Sequence, residues 1–140
     1  MHINCSLGRR LAAIVYDSFL LFAVIFIAAW LLLILLGEEI AGSISQHPLI
    51  LLYYFGVAYL FFGWFWTHGG QTLGMRVWRI KVISETEEPF SWSQAAIRTG
   101  VAIISWLCIG AGFVWALFDS ENRGWHDRAS KSRLVVLPKK

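Results

Sequence analysis

The chain has 140 residues, of which 57% are hydrophobic and only 15% charged. Soluble domains carry roughly 25% charged residues, so a water-soluble globular domain is excluded. The formal charge of +3 does not point to nucleic acid, because basic residues collect on the cytoplasmic loops that flank membrane spans. The length suits a single domain over residues 1–140 with the lipid bilayer as its solvent.

Residues 1–8 form a short polar lead. With Arg9-Arg10 they imitate the start of a signal peptide, but the apolar run that follows is far longer than an h-region of ~7–15 residues. Arg9-Arg10 reads instead as a cytoplasmic anchor. The first helix is expected over residues 10–36, long enough at about 1.5 Å per residue to cross a hydrocarbon core of about 30 Å. Gly37 and Glu38-Glu39 end it, and residues 37–47 form a loop without Lys or Arg. By the positive-inside rule that loop faces away from the cytoplasm and the amino terminus faces it. Pro48 suits the start of a second helix over residues 49–66, stopped by Thr67-His68-Gly69-Gly70. Gly56 and Gly63 fall on one face, where a neighbouring helix can approach closely.

Arg76, Arg79 and Lys81 return the next loop to the cytoplasmic side. Leu73 and Val77 are one turn apart, the pattern of a short interfacial helix. The alternation in Arg79-Ile80-Lys81-Val82 reads as a strand, with Ser132 to Leu137 as its partner. Residues 85–89 are a solvated turn, and Ser91-Trp92-Ser93-Gln94 has capping-box spacing and starts the next helix. The third apolar region, residues 95–118, contains Arg98 near its start and Gly110-Ala111-Gly112 in its second half. A plain crossing would place the tail outside, yet that tail holds Arg123, Arg128, Lys131, Arg133, Lys139 and Lys140. Charge placement therefore favours a broken or re-entrant hairpin, which survives at membrane depth only when buried in protein. The expected fold is all-α: a small helical membrane bundle with three apolar segments and a small cytoplasmic strand pair.

The candidate site is a charged constellation. Asp17 interrupts the first span, and an intramembrane carboxylate needs a partner, a hydration path or a proton. Arg10 lies two turns away, too far to serve it, so each looks to another segment. For Asp17 the candidates are Arg98 first, then Arg128 and His126; for Arg10 they are Asp127 and Asp119. The other reading makes Asp17 an ion or proton site, but neither of the first two spans supplies a second carboxylate. Gly69-Gly70-Gln71-Thr72-Leu73-Gly74 lacks the Lys-Ser/Thr ending of a phosphate loop. Ser, His and Asp are present without a strand-turn-helix elbow, so no enzyme is expected. Cys5 and Cys108 lack the neighbours of a zinc site and read as free thiols; no metal and no cofactor are expected.

These residues resemble the RDD family of small, mostly prokaryotic membrane proteins, whose name marks an arginine, an aspartate within the first span and a second aspartate. Arg10 and Asp17 match the first two, and Asp127 in Gly124-Trp125-His126-Asp127-Arg128 looks like the third. Gly70-Gln71-Thr72-Leu73-Gly74-Met75-Arg76 is similar to the family's Gly-x-Thr-Leu-Gly-Lys-Arg segment, with Met75 where a lysine is common. Arg98 falls where many members carry an arginine, and Ser130-Lys131-Ser132 replaces a small Ala-Gly-Thr-like run. The resemblance implies a multi-pass protein of the bacterial inner membrane that transports an unidentified solute or ion, with homo-oligomers expected. The alternative is a non-catalytic scaffold or accessory subunit that docks a protein partner through its basic cytoplasmic face.

Overall fold

The computed structural model describes residues 3–86 and 88–138, with the side chains of residues 3 and 4 left aside. Glu87, Lys139 and Lys140, which the sequence places in the solvated turn and the basic tail, lie outside the described residues.

A two-residue strand β1 (Ile3–Asn4) precedes α1 (Leu7–Ser45), the longest element. Its run of Leu, Ala, Ile and Phe keeps a helix going without an internal proline. Gly37, at φ 79° and ψ 165°, interrupts it in a conformation only glycine adopts readily. The chain then resumes helical turns, so residues 38–45 form a helical extension and not the expected loop. Pro48 caps α2 (Leu49–Thr67), the second helix long and apolar enough to span a membrane. Tyr53 donates to the Ala28 carbonyl at 3.0 Å and ties α2 to α1. Gly63 lets the Trp92 ring lie against α2, where a Cβ would come within 2.5 Å of that ring, whereas Gly56 faces open space.

After α2 the chain turns at Gly70 (φ 72°) into α3 (Leu73–Val77) and β2 (Ile80–Ser84). Ser91 caps α4 (Trp92–Leu107): its hydroxyl accepts from Gln94 N–H at 3.2 Å, and the Gln94 side chain accepts from Ser91 N–H at 3.1 Å. The third apolar segment then breaks. Ile109 and Gly110, at φ 59° and 75°, turn the chain by 108° into α5 (Ala111–Val114), which runs on into a 3-10 turn (Trp115–Leu117). α6 (Trp125–Ala129) and β3 (Ser132–Val136) complete the chain. β3 pairs antiparallel with β2, Lys81 opposite Val135 and Ser84 opposite Ser132. On its other edge it takes β1, so the expected strand pair has a third, short member.

The buried apolar core is small and sits beneath the sheet, built from Cys5, Ala13, Trp66, Met75, Ile80, Val82, Phe90, Ala95 and Leu134. Along the helices the pattern of a soluble protein is inverted, with Phe19, Phe22, Phe26, Trp30 and Leu35 facing outward. Large rings and aliphatic chains exposed along two spanning-length helices are surface for lipid.

Candidate functional site

The sheet end of the molecule holds two buried carboxylates, satisfied in different ways. Asp127, fully buried in α6, receives Arg10 Nη1 on one oxygen at 2.5 Å and Arg98 Nη1 on the other at 2.5 Å. Gly124 N–H adds a third donor at 3.0 Å, so the acid at the third helical position closes the start of α6. Burial by itself pushes this carboxyl upward, but the two guanidiniums outweigh it and hold Asp127 well below the usual carboxylate range. Arg10 is satisfied throughout, its Nε donating to the Cys5 carbonyl at 3.4 Å and its Nη2 to the Asn122 carbonyl. Arg98 also donates from Nη1 to Ser132 Oγ at 2.9 Å, and its guanidinium lies 5.1 Å over the Trp66 ring. One aspartate thereby ties α1, α4 and α6 together.

Among the described residues Asp17 has no cation partner. Its oxygens accept from the Thr72 hydroxyl and from Gly74 N–H, the latter at 2.8 Å. Thr72 is the N-cap of α3 and accepts from Met75 N–H at 3.2 Å, so Asp17 joins the cap of a helix start from across the fold. Backbone N–H groups in the first turn lack intrahelical partners, and a carboxylate satisfies them. Gly74 is required for this approach: a Cβ there would stand 2.5 Å from the Ala13 carbonyl and 2.9 Å from the Asp17 carboxyl.

The constellation therefore divides. Arg10, Arg98, His126 and Asp127 come together, and Arg10 meets Asp127 as the sequence suggested. The Asp17–Arg98 pair is not formed, because Arg98 is spent on Asp127 and Ser132. Neither of the other suggested partners reaches Asp17: Arg128 pairs with Asp119, and His126 Nε2 lies 3.5 Å from Asp127. Deep burial, helped by Arg98 and Arg10 and opposed by the Asp127 carboxylate, pushes the His126 imidazole down to about 3, so it is neutral at pH 7. In the loop, Gly70 makes the turn, Thr72 and Gly74 hold Asp17, and Arg76 is exposed away from both carboxylates. Met75, where the family commonly has lysine, is buried in the core.

A protein-family model described as the RDD family matches residues 5–131. That span contains Arg10, Asp17 and Asp127. The chain belongs to the RDD family. No curated protein and no solved structure gives a significant match.

Sequence reasoning missed several residues of this RDD-family site. Trp66 entered only as the last residue of the second apolar run, although the Arg98 guanidinium lies over its ring. Ser130 and Ser132, noted as a departure from the family run, share a 2.8 Å hydrogen bond beneath Arg98. Thr99, one residue beyond Arg98, is also buried. Cys5 and Cys108 are free thiols, the first buried and the second exposed. Among the described residues no three His, Cys, Asp or Glu side chains converge as metal ligands.

Between α1, α2 and α4 the side chains leave a cavity of about 220 Å³. Asp17, Arg98, Thr99 and His126 reach its wall, and most of the remaining lining is apolar, from residues such as Leu21, Phe62, Ile103 and Phe113.

Proposed function

We propose that this RDD-family protein is a non-catalytic carrier of the bacterial inner membrane that takes a small solute into the cavity between α1, α2 and α4. The observation that carries the reading is this cavity, which lies between both spanning-length helices with buried charged groups on its wall. Two spans and a bent segment enclose little space, so the working unit is an oligomer. The solute is not a bare cation, since both oxygens of Asp17 already take neutral donors and among the described residues no second carboxylate stands beside it.

The membrane disposition belongs to the same proposal. The sheet joins the amino-terminal lead, the segment after α2 and the tail, so these three share one side. Arg76, Arg79, Lys81, Arg128, Lys131 and Arg133 lie toward that side, against Glu38 and Glu39 in the far end of α1, which supports a cytoplasmic amino terminus and two full crossings. Single cysteines at Ser45 and Glu121, in a chain with Cys5 and Cys108 replaced by alanine, test it in intact cells. A membrane-impermeant maleimide is expected to label position 45 and spare 121; the reverse pattern overturns the orientation.

Uptake by proteoliposomes tests the carrier reading, with Ala102→Trp, on the α4 wall of the cavity, used to fill it. Wild type is expected to move solutes from a panel of small organic molecules, and the folded variant to move none. Flux that survives Ala102→Trp, or a well-folded wild type that moves nothing, removes the reading. The exposed Arg76 and Arg133 favour the second reading, a scaffold that docks an acidic protein partner. Crosslinking that depends on those two residues would support it.

A further inference from the structure

Only one side of α3 is spent on its contact with the rest of the fold. Gly74 rests against the Ala13 carbonyl and gives its N–H to Asp17, and Met75 enters the core. Leu73, Arg76, Val77 and Trp78 are left exposed, Val77 at 60%. Arg79 follows at once and is half-buried. Its N–H donates to the Arg76 carbonyl at 3.1 Å, so the two arginines share one turn.

Depth decides what this surface meets. The apolar run of α1 opens at Leu11, so Ala13 and Asp17 stand about 3 and 9 Å inside it. α3 packs at that level, the border between headgroups and acyl chains. Amphipathic rings collect there, and Tyr16 and Trp78 are both partly exposed. Leu73 and Val77 meet acyl chains, while the arginine stems extend until their guanidiniums reach the phosphates.

Neither guanidinium is answered within the protein. Among the described residues Arg76 and Arg79 take part in no ion pair. Asp17, beneath α3, is already taken by Thr72 and Gly74. Glu85 stands past the other end of β2, about 20 Å from Arg79 at the rise of a strand. Glu38 is about 30 Å along α1 from Asp17. Asp119 and Glu121 pair with Arg128 and Arg123.

Two unmatched cations beside exposed apolar side chains at the bilayer border fit a lipid with a negative headgroup. A choline headgroup would bring a third cation to the two already there. An acidic protein would match the charge but would have to displace acyl chains from Leu73 and Val77. We infer that α3 and the turn after it hold an anionic phospholipid, its phosphodiester on Arg76 and Arg79 and its acyl chains along Leu73, Val77 and Trp78. The inference needs α1 to span the bilayer and is independent of whether the cavity carries a solute.

The test places a bimane fluorophore at Val77→Cys, in a chain with Cys5→Ala and Cys108→Ala. The protein sits in phosphatidylcholine nanodiscs that contain either phosphatidylglycerol or phosphatidylcholine with a doxyl quencher near the headgroup. The ratio of the two quenching efficiencies reads local enrichment. With both arginines present, phosphatidylglycerol is expected to be enriched about fivefold, the usual worth of a basic side chain at an anionic surface. Arg76→Gln with Arg79→Gln should bring the ratio close to one, while Arg76→Lys with Arg79→Lys keeps the charge and should retain most of it. Lys131→Gln with Arg133→Gln removes the same charge from exposed positions elsewhere on the basic face and should leave the ratio unchanged. Equal quenching by the two lipids in the parent chain overturns the inference. So does an equal fall in both charge-removing pairs, which would make the preference a property of the whole face and not of this site. A label that neither lipid quenches puts α3 away from the bilayer border and overturns it as well. Enrichment without solute flux keeps this site and removes the carrier reading, whereas flux without enrichment does the opposite.

Discussion

Asp17 and Asp127 are the same chemical group, both nearly inaccessible to solvent, and the fold answers them by opposite means. Asp127 is clamped by two guanidiniums and one backbone N–H, whereas Asp17 accepts from one hydroxyl and one backbone N–H. Position explains the difference. Asp127 sits where the start of α1, the first half of α4 and α6 converge, and each of the first two contributes an arginine. Asp17 lies two turns further along α1, and there the start of α3 folds back against the helix. An intramembrane carboxylate therefore needs donors, not necessarily a cation, and a helix start supplies them without bringing a second charge into the bilayer.

The largest expected effect breaks the Asp127 arm. Asp127→Ala leaves Arg10 and Arg98 buried and unmatched, and is expected to cost about 3–5 kcal/mol, read as thermal unfolding in nanodiscs. Replacing Arg98 by Met in the same chain should recover part of that loss, because the two changes remove one interaction. A loss under about 1 kcal/mol for Asp127→Ala would show that water reaches the cluster and solvates the arginines.

The Asp17 arm should give less. Asp17→Ala removes hydrogen bonds from uncharged donors and leaves Thr72 Oγ1 and Gly74 N–H to find other partners, at about 1–3 kcal/mol. Asp17→Asn keeps one acceptor and should cost less than Asp17→Ala. The two-arm comparison makes a sharper demand on double-mutant cycles. Asp17 should couple to Thr72 by more than about 0.5 kcal/mol, and Asp17 with Arg98 should add within that margin. Strong coupling of Asp17 to Arg98 would restore the ion pair that the structure lacks.

Acid separates the arms further. His126 is held down to about 3 against an ordinary 6.5, so as pH falls below 6.5 the unfolded chain takes up a proton that the folded chain refuses. Stability contributed by this group is full above pH 6.5 and declines toward pH 3. Between pH 6.5 and 5 the loss is at most about 2 kcal/mol, from 1.36 kcal/mol per pKa unit. Asp127, held below the ordinary carboxylate range, adds its own loss only as pH falls below about 4. His126→Gln should flatten the melting temperature between pH 6.5 and 5 while leaving the steeper fall below 4. An unchanged slope in that variant would place the acid sensitivity elsewhere.

Much of this arrangement was legible in the residues, and the failures have physical causes. The capping box at Ser91, the β2–β3 pairing and the break near Gly110 follow from local patterns that tertiary contacts do not override. Asp17 was paired with Arg98 because only charged side chains were weighed as partners; the unspent N–H groups at the start of α3 carry no charge and no sequence signature beyond Thr72 itself. Residues 38–45 read as a loop because Gly37 is a helix breaker, yet one glycine at positive φ redirects the chain without ending it. β1 is too short for any periodicity, and it forms only because β3 offers an open edge. In α6 a signal did exist, since Asp127 stands three residues after Gly124, the spacing of an acid that closes a helix start.

The smallest effect is expected from a third carboxylate, which completes the comparison at the rim. Glu85, just past the end of β2, pairs with Arg123, which also reaches Glu121. The Glu85 side chain is 35% exposed and that of Arg123 18%, so water screens what the bilayer-facing interior does not. A pair of this kind contributes about 0–1 kcal/mol and weakens with salt. Arg123 also retains Glu121 when Glu85 is lost, so no unmatched cation is left behind. Glu85→Gln should therefore shift stability by less than about 0.5 kcal/mol in low salt, with the difference fading toward 1 M salt, where charges are screened within about 3 Å. Asp127→Ala should cost nearly the same at both salt concentrations, because salt does not enter its surroundings. If the two variants instead showed the same salt dependence, Asp127 would be a surface pair in solution, and the distinction between a buried tie and a rim contact would fail.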